Sequence, residues 1–268
     1  MISEKKRCEN LGKPHPTSPP APLLKERGDE EPEKVEKQHK KKRIRVLRPK
    51  NIIGKERKFI PVEGEIWDSI GKLERGTKII LKGPSFSGKS SVLIMLIKPL
   101  LEHMRVDYNN HEENGGDSGT VEKKLGHGGI DASDDNLRFY KAPIESDEYE
   151  TYGEILRKKG SAGFAILDSI QHACLDKKGY VQFVNEFADR RGKILAFISH
   201  GVSNDYIKHV WHDCDVKLEV IGYVCYVESR LIDAQNKPII IWEDGAKKHW
   251  KKRYQDVIKG RYWPGKKK

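Results

Sequence analysis

Eight consecutive residues, Gly83-Pro84-Ser85-Phe86-Ser87-Gly88-Lys89-Ser90, constrain this chain more than any other feature. They fit the pattern G-x-x-x-x-G-K-[ST], in which each fixed position has a physical task. Glycine at 83 and 88 permits backbone angles that other residues resist, so the loop can turn its amide hydrogens inward around an anion. Lys89 adds a point charge suited to the β- and γ-phosphates of a nucleotide, and Ser90 adds a hydroxyl suited to Mg2+. Apolar Ile79-Ile80-Leu81 leads in and a helical run, Ser91–Ile97, leads out. The positive end of such a helix faces the same anion. A site for ATP is therefore expected over Gly83, Pro84, Ser85, Phe86, Ser87, Gly88, Lys89, Ser90 and Ser91.

The surrounding pattern fits a strand–loop–helix setting repeated along the chain. Lys78–Leu81, Arg105–Asn110, Leu137–Lys141, Phe164–Asp168 and Ile194–Ser199 read as buried strands. Lys89–His103 and Val181–Arg191 read as helices between them, with Pro99 ending or kinking the first. Alternation of this kind predicts an α/β fold: a mainly parallel central sheet with helices on both faces. Val216–Val220, Tyr223–Arg230 and Pro238–Trp242 follow with few residues between them and read as antiparallel edge strands. Gly115–Gly129, rich in glycine and polar residues, reads as a mobile loop.

Phosphate binding alone is not turnover; hydrolysis needs a carboxylate that orients the metal and a group that activates water. Phe164-Ala165-Ile166-Leu167-Asp168 is an apolar strand ending in aspartate, so Asp168 joins Ser90 as an expected Mg2+ partner. The alternative for Asp168 is a cap on the next turn. Val106 to Asn110 runs into Glu112 and Glu113, one of which is placed to polarise water; otherwise both are solvated glutamates at a loop start. Ile194–Ser199 delivers His200 to the carboxyl end of a strand, the edge where open α/β sheets bind ligands. His200 is thus a candidate γ-phosphate sensor, or a loop histidine without a ligand.

The ends differ from the middle. Of the 268 residues, 51 are Lys or Arg and 40 are Asp or Glu, a formal net charge of +11 that favours polyanionic partners. Residues 1–50 read as a disordered tail, proline-rich from Pro14 to Pro22 and ending in Lys40-Lys41-Lys42-Arg43. That cluster is either a phosphate-contacting arm or a solvated charge run. Residues 51–245 read as the ATPase domain and 246–268 as a basic tail carrying Trp250, Tyr254, Tyr262 and Trp263. A helix over Lys247–Lys259 would present cations and stacking faces to nucleic acid, or pack Trp250 and Tyr254 on the core, and both can hold at once. Cys8, Cys174, Cys214 and Cys225 form no C-x-x-C pair, so a zinc knuckle is not expected. No run approaches the roughly 18 apolar residues of a membrane span, and the start lacks a secretory pattern, so the expectation is a cytoplasmic chain without a membrane partner.

In their order, GPSFSGKSS, VDYNNHEEN, FAILDSIQ and ILAFISHGVS resemble the RecA/RadA class of ATPases, most closely the bacterial RadA repair proteins. Lys124-Leu125-Gly126 and Asp135-Asn136-Leu137 are similar to pieces that follow the glutamate in that family. The resemblance spans roughly Glu63 to Trp242 and implies a RecA-like core. It also implies that Glu112 is the catalytic glutamate with Lys89 on the phosphates, and that His200 is the γ-phosphate switch. Glu228-Ser229-Arg230 falls where the family carries lysine–asparagine–arginine, which implies a role for Arg230 at a nucleotide or DNA across subunits. Several features depart from the family: no four-cysteine zinc motif occurs in the 268 residues, no Lon-protease-like domain is expected among them, Glu228 replaces a lysine, and Ser203–His209 lacks the usual loop motif.

The expected function is a DNA-dependent ATPase of recombination, repair or replication, working as a ring or filament on single-stranded or branched DNA. Two alternatives stand beside it: a nucleotide-binding regulatory module with little turnover, and a DnaB-like hexameric helicase core.

Overall fold

The computed structural model describes residues 48–264 apart from 174, 202 and 203. Cys8, Cys174, the prolines near the start, the Lys40–Arg43 cluster and the last lysines therefore lie outside the described residues. The chain divides into two compact units, Met1–Glu56 and Arg57–Lys268. The described part of the first holds a short 3-10 turn, Pro49–Asn51, in which the Asn51 side chain accepts from the Arg48 amide at 3.0 Å.

The second unit is built on an eight-stranded sheet. Its strands are β3 (Lys78–Lys82), β4 (Val106–Asn110), β5 (Leu137–Tyr140), β6 (Phe164–Asp168), β7 (Ile194–Ser199), β8 (Val216–Ile221), β9 (Val224–Ser229) and β10 (Ile239–Ile240). A small antiparallel pair, β1 (Phe59–Ile60) and β2 (Leu73–Glu74), lies outside it. Spatial order is β10-β9-β8-β3-β7-β6-β4-β5. Strands β3 to β8 are all parallel; β9 and β10 are antiparallel at the edge. Strand β7 sits between the strand that feeds the glycine loop and the strand that ends in Asp168. This is the mainly parallel α/β core with antiparallel edge strands expected from the sequence, with one correction. Val216–Ile221 is not an antiparallel edge strand, because it pairs in parallel with β3. The long connection through α6 (Asp205–Asp213) brings it back to the starting edge, as a parallel crossover must.

Alternate side chains on each central strand face opposite layers. Ile79, Leu81, Phe164, Ile166, Ile194, Ala196 and Ile198 pack in one apolar cluster with α1 (Glu65–Ile70) and α2 (Lys89–Leu100). Ile80, Ala165, Leu167, Leu195 and Phe197 pack in the other with α4 (Tyr152–Arg157), α5 (Lys177–Val184) and α6. Helix α2 stops one residue after Pro99, at Leu100. Helix α5 begins four residues earlier than the sequence implies, because Asp176 accepts from the Gly179 amide at 2.6 Å and caps it. It continues as a π-helical segment, Asn185–Arg190.

Two expected loops are helical. Gly119–Gly128 within the glycine-rich stretch is helix α3: Ser118 accepts from the Val121 amide, and Val121 and Leu125 bury one face. Tertiary burial outweighs the roughly 1 kcal/mol that each glycine subtracts from helix propensity. Residues 205–209 begin α6, with Asn204 accepting from the Ile207 amide at 2.7 Å. The single helix expected over 247–259 is two, α7 (Glu243–Trp250) and α8 (Tyr254–Ile258), broken at Lys251, whose φ is +49°. Both alternatives for this segment had involved Trp250 and Tyr254; here they pack with Val224, Tyr226, Ala246 and Val257. Among the described residues no helix is long and apolar enough to cross a membrane.

Candidate nucleotide site

The loop 83–90 leaves β3 at the carboxyl edge of the sheet and enters α2, with Gly88 as its N-cap at φ +105°. A side chain at 88 would be strained there and would also meet Ile241. Gly83 is needed for a different reason than backbone freedom. A Cβ at 83 would stand 2.6 Å from the Val220 carbonyl oxygen and 2.9 Å from Ser87 Oγ. The Gly83 amide donates to the Ser199 carbonyl at 3.3 Å, tying the loop to β7. Phe86, at the apex with φ +62°, puts its ring in solvent, 96% exposed. What Phe86 brings to the loop is therefore its backbone.

Lys89 is held by its own loop: its ammonium donates to the Gly83 carbonyl at 2.8 Å and to the Pro84 carbonyl at 2.9 Å. Burial lowers its pKa, and the Asp168 and Glu112 carboxylates oppose that shift. Three sequence-predicted groups from three chain segments therefore act on one another at the sheet edge. Asp168, at the tip of β6, accepts from the Tyr108 hydroxyl of β4. Its pKa is raised to about 6, first by loss of water and then by the neighbouring Glu112 charge; the Tyr108 hydrogen bond, His200 and Lys89 pull the other way. Tyr108 is in turn pushed well above its ordinary range by burial and by Asp168.

Glu112 is aimed by a turn at the end of β4. Asn110, fully buried, accepts from the Glu112 amide at 3.0 Å and the Glu113 amide at 2.9 Å. Glu112 Oε1 is in direct contact with His200 Nε2 and lies 3.5 Å from His172 Nδ1. Glu113 instead pairs with Lys124 of α3 at 2.7 Å, which turns it away from this contact. Gln171 donates to Ser199 Oγ at 2.7 Å and so ties the turn after β6 to the end of β7, just before His200.

Six buried side-chain polar atoms lack a hydrogen-bond partner among the described residues, and three of them lie here: Ser87 Oγ, Asn110 Nδ2 and Gln171 Oε1. Unpaired buried polar atoms are costly, so their concentration at one edge fits a place where a polar ligand completes the bonding. The residues present fit a nucleotide phosphate: a cradle with no room for a Cβ, a half-buried ammonium and an orphaned hydroxyl.

Arg230 is not part of this cluster. It follows β9 at the opposite edge, where its amide donates to the Asp215 carbonyl and its guanidinium to the His212 carbonyl at 3.2 Å. A strand length, on the order of 17 Å, separates it from the loop. Glu228 pairs with Lys217 at 2.8 Å on the neighbouring strand. Sequence reasoning missed Tyr108 and His172. The first reads as one more apolar position in a buried strand. The second was visible as the residue after Asp168-Ser169-Ile170-Gln171, but nothing in its spacing marks it.

No family model and no curated protein matches the chain. Among solved structures it is similar to the flagellar accessory protein FlaH from Methanocaldococcus jannaschii, at 13% identity and a TM-score of 0.47. The match covers 69% of this chain and 96% of that one.

Proposed function

We propose that this chain binds ATP at the loop 83–90 and hydrolyses it, with Glu112 activating the attacking water. One observation carries the reading: Lys89 at the start of α2, Glu112 in the turn after β4 and Asp168 at the tip of β6 lie close enough for each to shift the charge state of another. The amides of the loop and the Lys89 ammonium take the phosphates, and Lys89 leaves the carbonyls of Gly83 and Pro84 to do so. Ser90 and Asp168 would hold Mg2+, which when bound neutralises phosphate charge. Glu112 accepts a proton from water and His200 shares it through their contact, so a change at the phosphates is felt in the turn after β7.

Hydrolysis assayed for wild type, Lys89→Ala and Glu112→Gln tests this. Lys89→Ala should abolish ATP binding; Glu112→Gln should keep binding while turnover falls by roughly 100-fold or more. Turnover unchanged in Glu112→Gln would leave a nucleotide-binding module instead. That second reading has its own support, since Glu228 stands where the resembling family has lysine and is engaged by Lys217.

The finer proposal is an ATPase of the RecA/RadA class that acts on DNA, assembles with further copies of itself and completes each site with Arg230 of a neighbour. Net charge and the exposed Lys247, Lys248, Lys251, Lys252 and Arg253 support a polyanionic partner. The aromatic rings of that segment face the protein, so the lysines would track phosphates without base stacking. Binding to single-stranded DNA should then weaken steeply with salt, the slope falling by roughly 0.7 for each phosphate-contacting lysine replaced.

A further inference from the structure

We propose that Glu112, His172 and His200 together form a binding site for a transition-metal dication of the Zn2+ type. They offer one ligand atom each, and these atoms all lie within 4.8 Å of one another. A tetrahedral zinc with bonds of about 2.0–2.1 Å needs its ligand atoms about 3.3 Å apart. The pair Glu112 Oε1 and His172 Nδ1 already stands at 3.5 Å. His200 Nε2 reaches the same carboxylate oxygen, and the two imidazole rings meet edge to face with centroids 5.8 Å apart. Small side-chain rotations therefore close the set.

The three ligands come from the tips of β4, β6 and β7, and the backbone behind them is fixed. Asn110 holds the Glu112 turn, and Gln171 is bonded to Ser199, so the residues preceding His172 and His200 are joined. The Ser169 hydroxyl lies 2.8 Å from His172 Nδ1 and competes for its lone pair; a metal must displace that contact. Two imidazole nitrogens with one carboxylate suit Zn2+, Fe2+ or Co2+ and not the hard, oxygen-seeking Mg2+. The site is thus chemically distinct from the hydroxyl–carboxylate pair of Ser90 and Asp168. Three protein ligands leave a fourth position for water. Resting on the hydrolytic reading, one consequence follows: a metal here occupies the Glu112 carboxylate that the reaction needs, so the metal and turnover exclude each other.

Co2+ is the probe, since in four-coordinate nitrogen and oxygen surroundings it gives intense visible bands that octahedral Co2+ lacks. The full chain should bind one Co2+ with such bands, and one equivalent of Zn2+ should abolish them. His172→Ala, His200→Ala and Glu112→Ala should each weaken binding by roughly tenfold or more. The His172 side chain is 53% exposed, so its replacement leaves the core alone. Lys89→Ala should keep the bands while losing ATP, which separates a failure of this site from a failure of the nucleotide reading. Absence of four-coordinate bands, or equal Co2+ affinity in wild type and the three alanine variants, overturns the proposal.

Discussion

At the scale of single residues, the site stores an electrostatic conflict. Asp168 has lost water, and Glu112 stands near it, so its carboxyl holds its proton up to about pH 6. The folded pKa lies above the ordinary value of 3.8, so this group favours the fold fully below about pH 4 and loses that contribution as pH rises through 6. At pH 8 the ionised carboxylate costs the fold about 1–3 kcal/mol. Asp168→Asn should therefore raise Tm at pH 8 by roughly 2–8 °C and leave it unchanged at pH 4, as thermal unfolding followed by circular dichroism would show. In the proposed site, the same carboxylate would have to be charged to hold Mg2+. Mg2+-dependent ATP affinity should accordingly fall, by up to roughly tenfold per pH unit, below pH 6; calorimetric titration between pH 5 and 8 measures this. A flat profile would remove Asp168 from the metal site.

At the scale of elements, local capping and tertiary burial decide between loop and helix where composition misleads. Helix α3 carries glycine at 119, 126 and 128, yet forms, because Ser118 caps it, Val121 is buried and Leu125 packs against the apolar layer of α2. Gly128 lies so close to Ile94 that a Cβ there would stand 2.1 Å from its Cγ2. The glycine that weakens the helix is thus what lets it pack. Ser118→Ala should cost about 1 kcal/mol in chemical denaturation, and amide exchange should quicken within 119–128 ahead of the rest of the chain. The helix also carries Lys124, whose pairing with Glu113 leaves Glu112 as the carboxylate that meets His200. Element and site are coupled by that ion pair.

At the scale of the whole molecule, the described part of the basic segment, residues 246–264, packs as part of the folded unit. Helices α7 and α8 bring Trp250, Tyr254 and Val257 over the outer face of β9, and Trp263 stacks on Tyr226 at 5.2 Å while donating to Glu219 at 3.0 Å. Val257 is completely buried, so Val257→Ala should destabilise the protein by about 1–3 kcal/mol, read as a fall in Tm. An unchanged Tm would mean that this segment packs too loosely to matter. The buried thiols Cys214 and Cys225 behave as small apolar core groups, their pKa values pushed far up by burial.

The glycine loop, the strand into it, the helix out of it and the aspartate ending β6 were legible in the sequence, because each depends on residue type at fixed local spacing. The positions of the five expected strands were legible from their apolar residues, but not their burial: β5, at the sheet edge, is only half-buried, and β4 buries Asp107, Asn109 and Asn110. The parallel pairing of Val216–Ile221 with β3 was not, since periodicity marks a strand without naming its neighbour. Nor was the fate of the aromatic residues at the end, which depends on a face offered by strands some 25 residues earlier in the chain. What only the tertiary structure decided is which polar side chains converge. Residue type and spacing alone do not separate Glu112 from Glu113, although the resemblance implied Glu112; the folded chain turns Glu112 to His200 and His172 and Glu113 to Lys124. Local chemistry dictates the elements; long-range packing alone sets the distances between their tips.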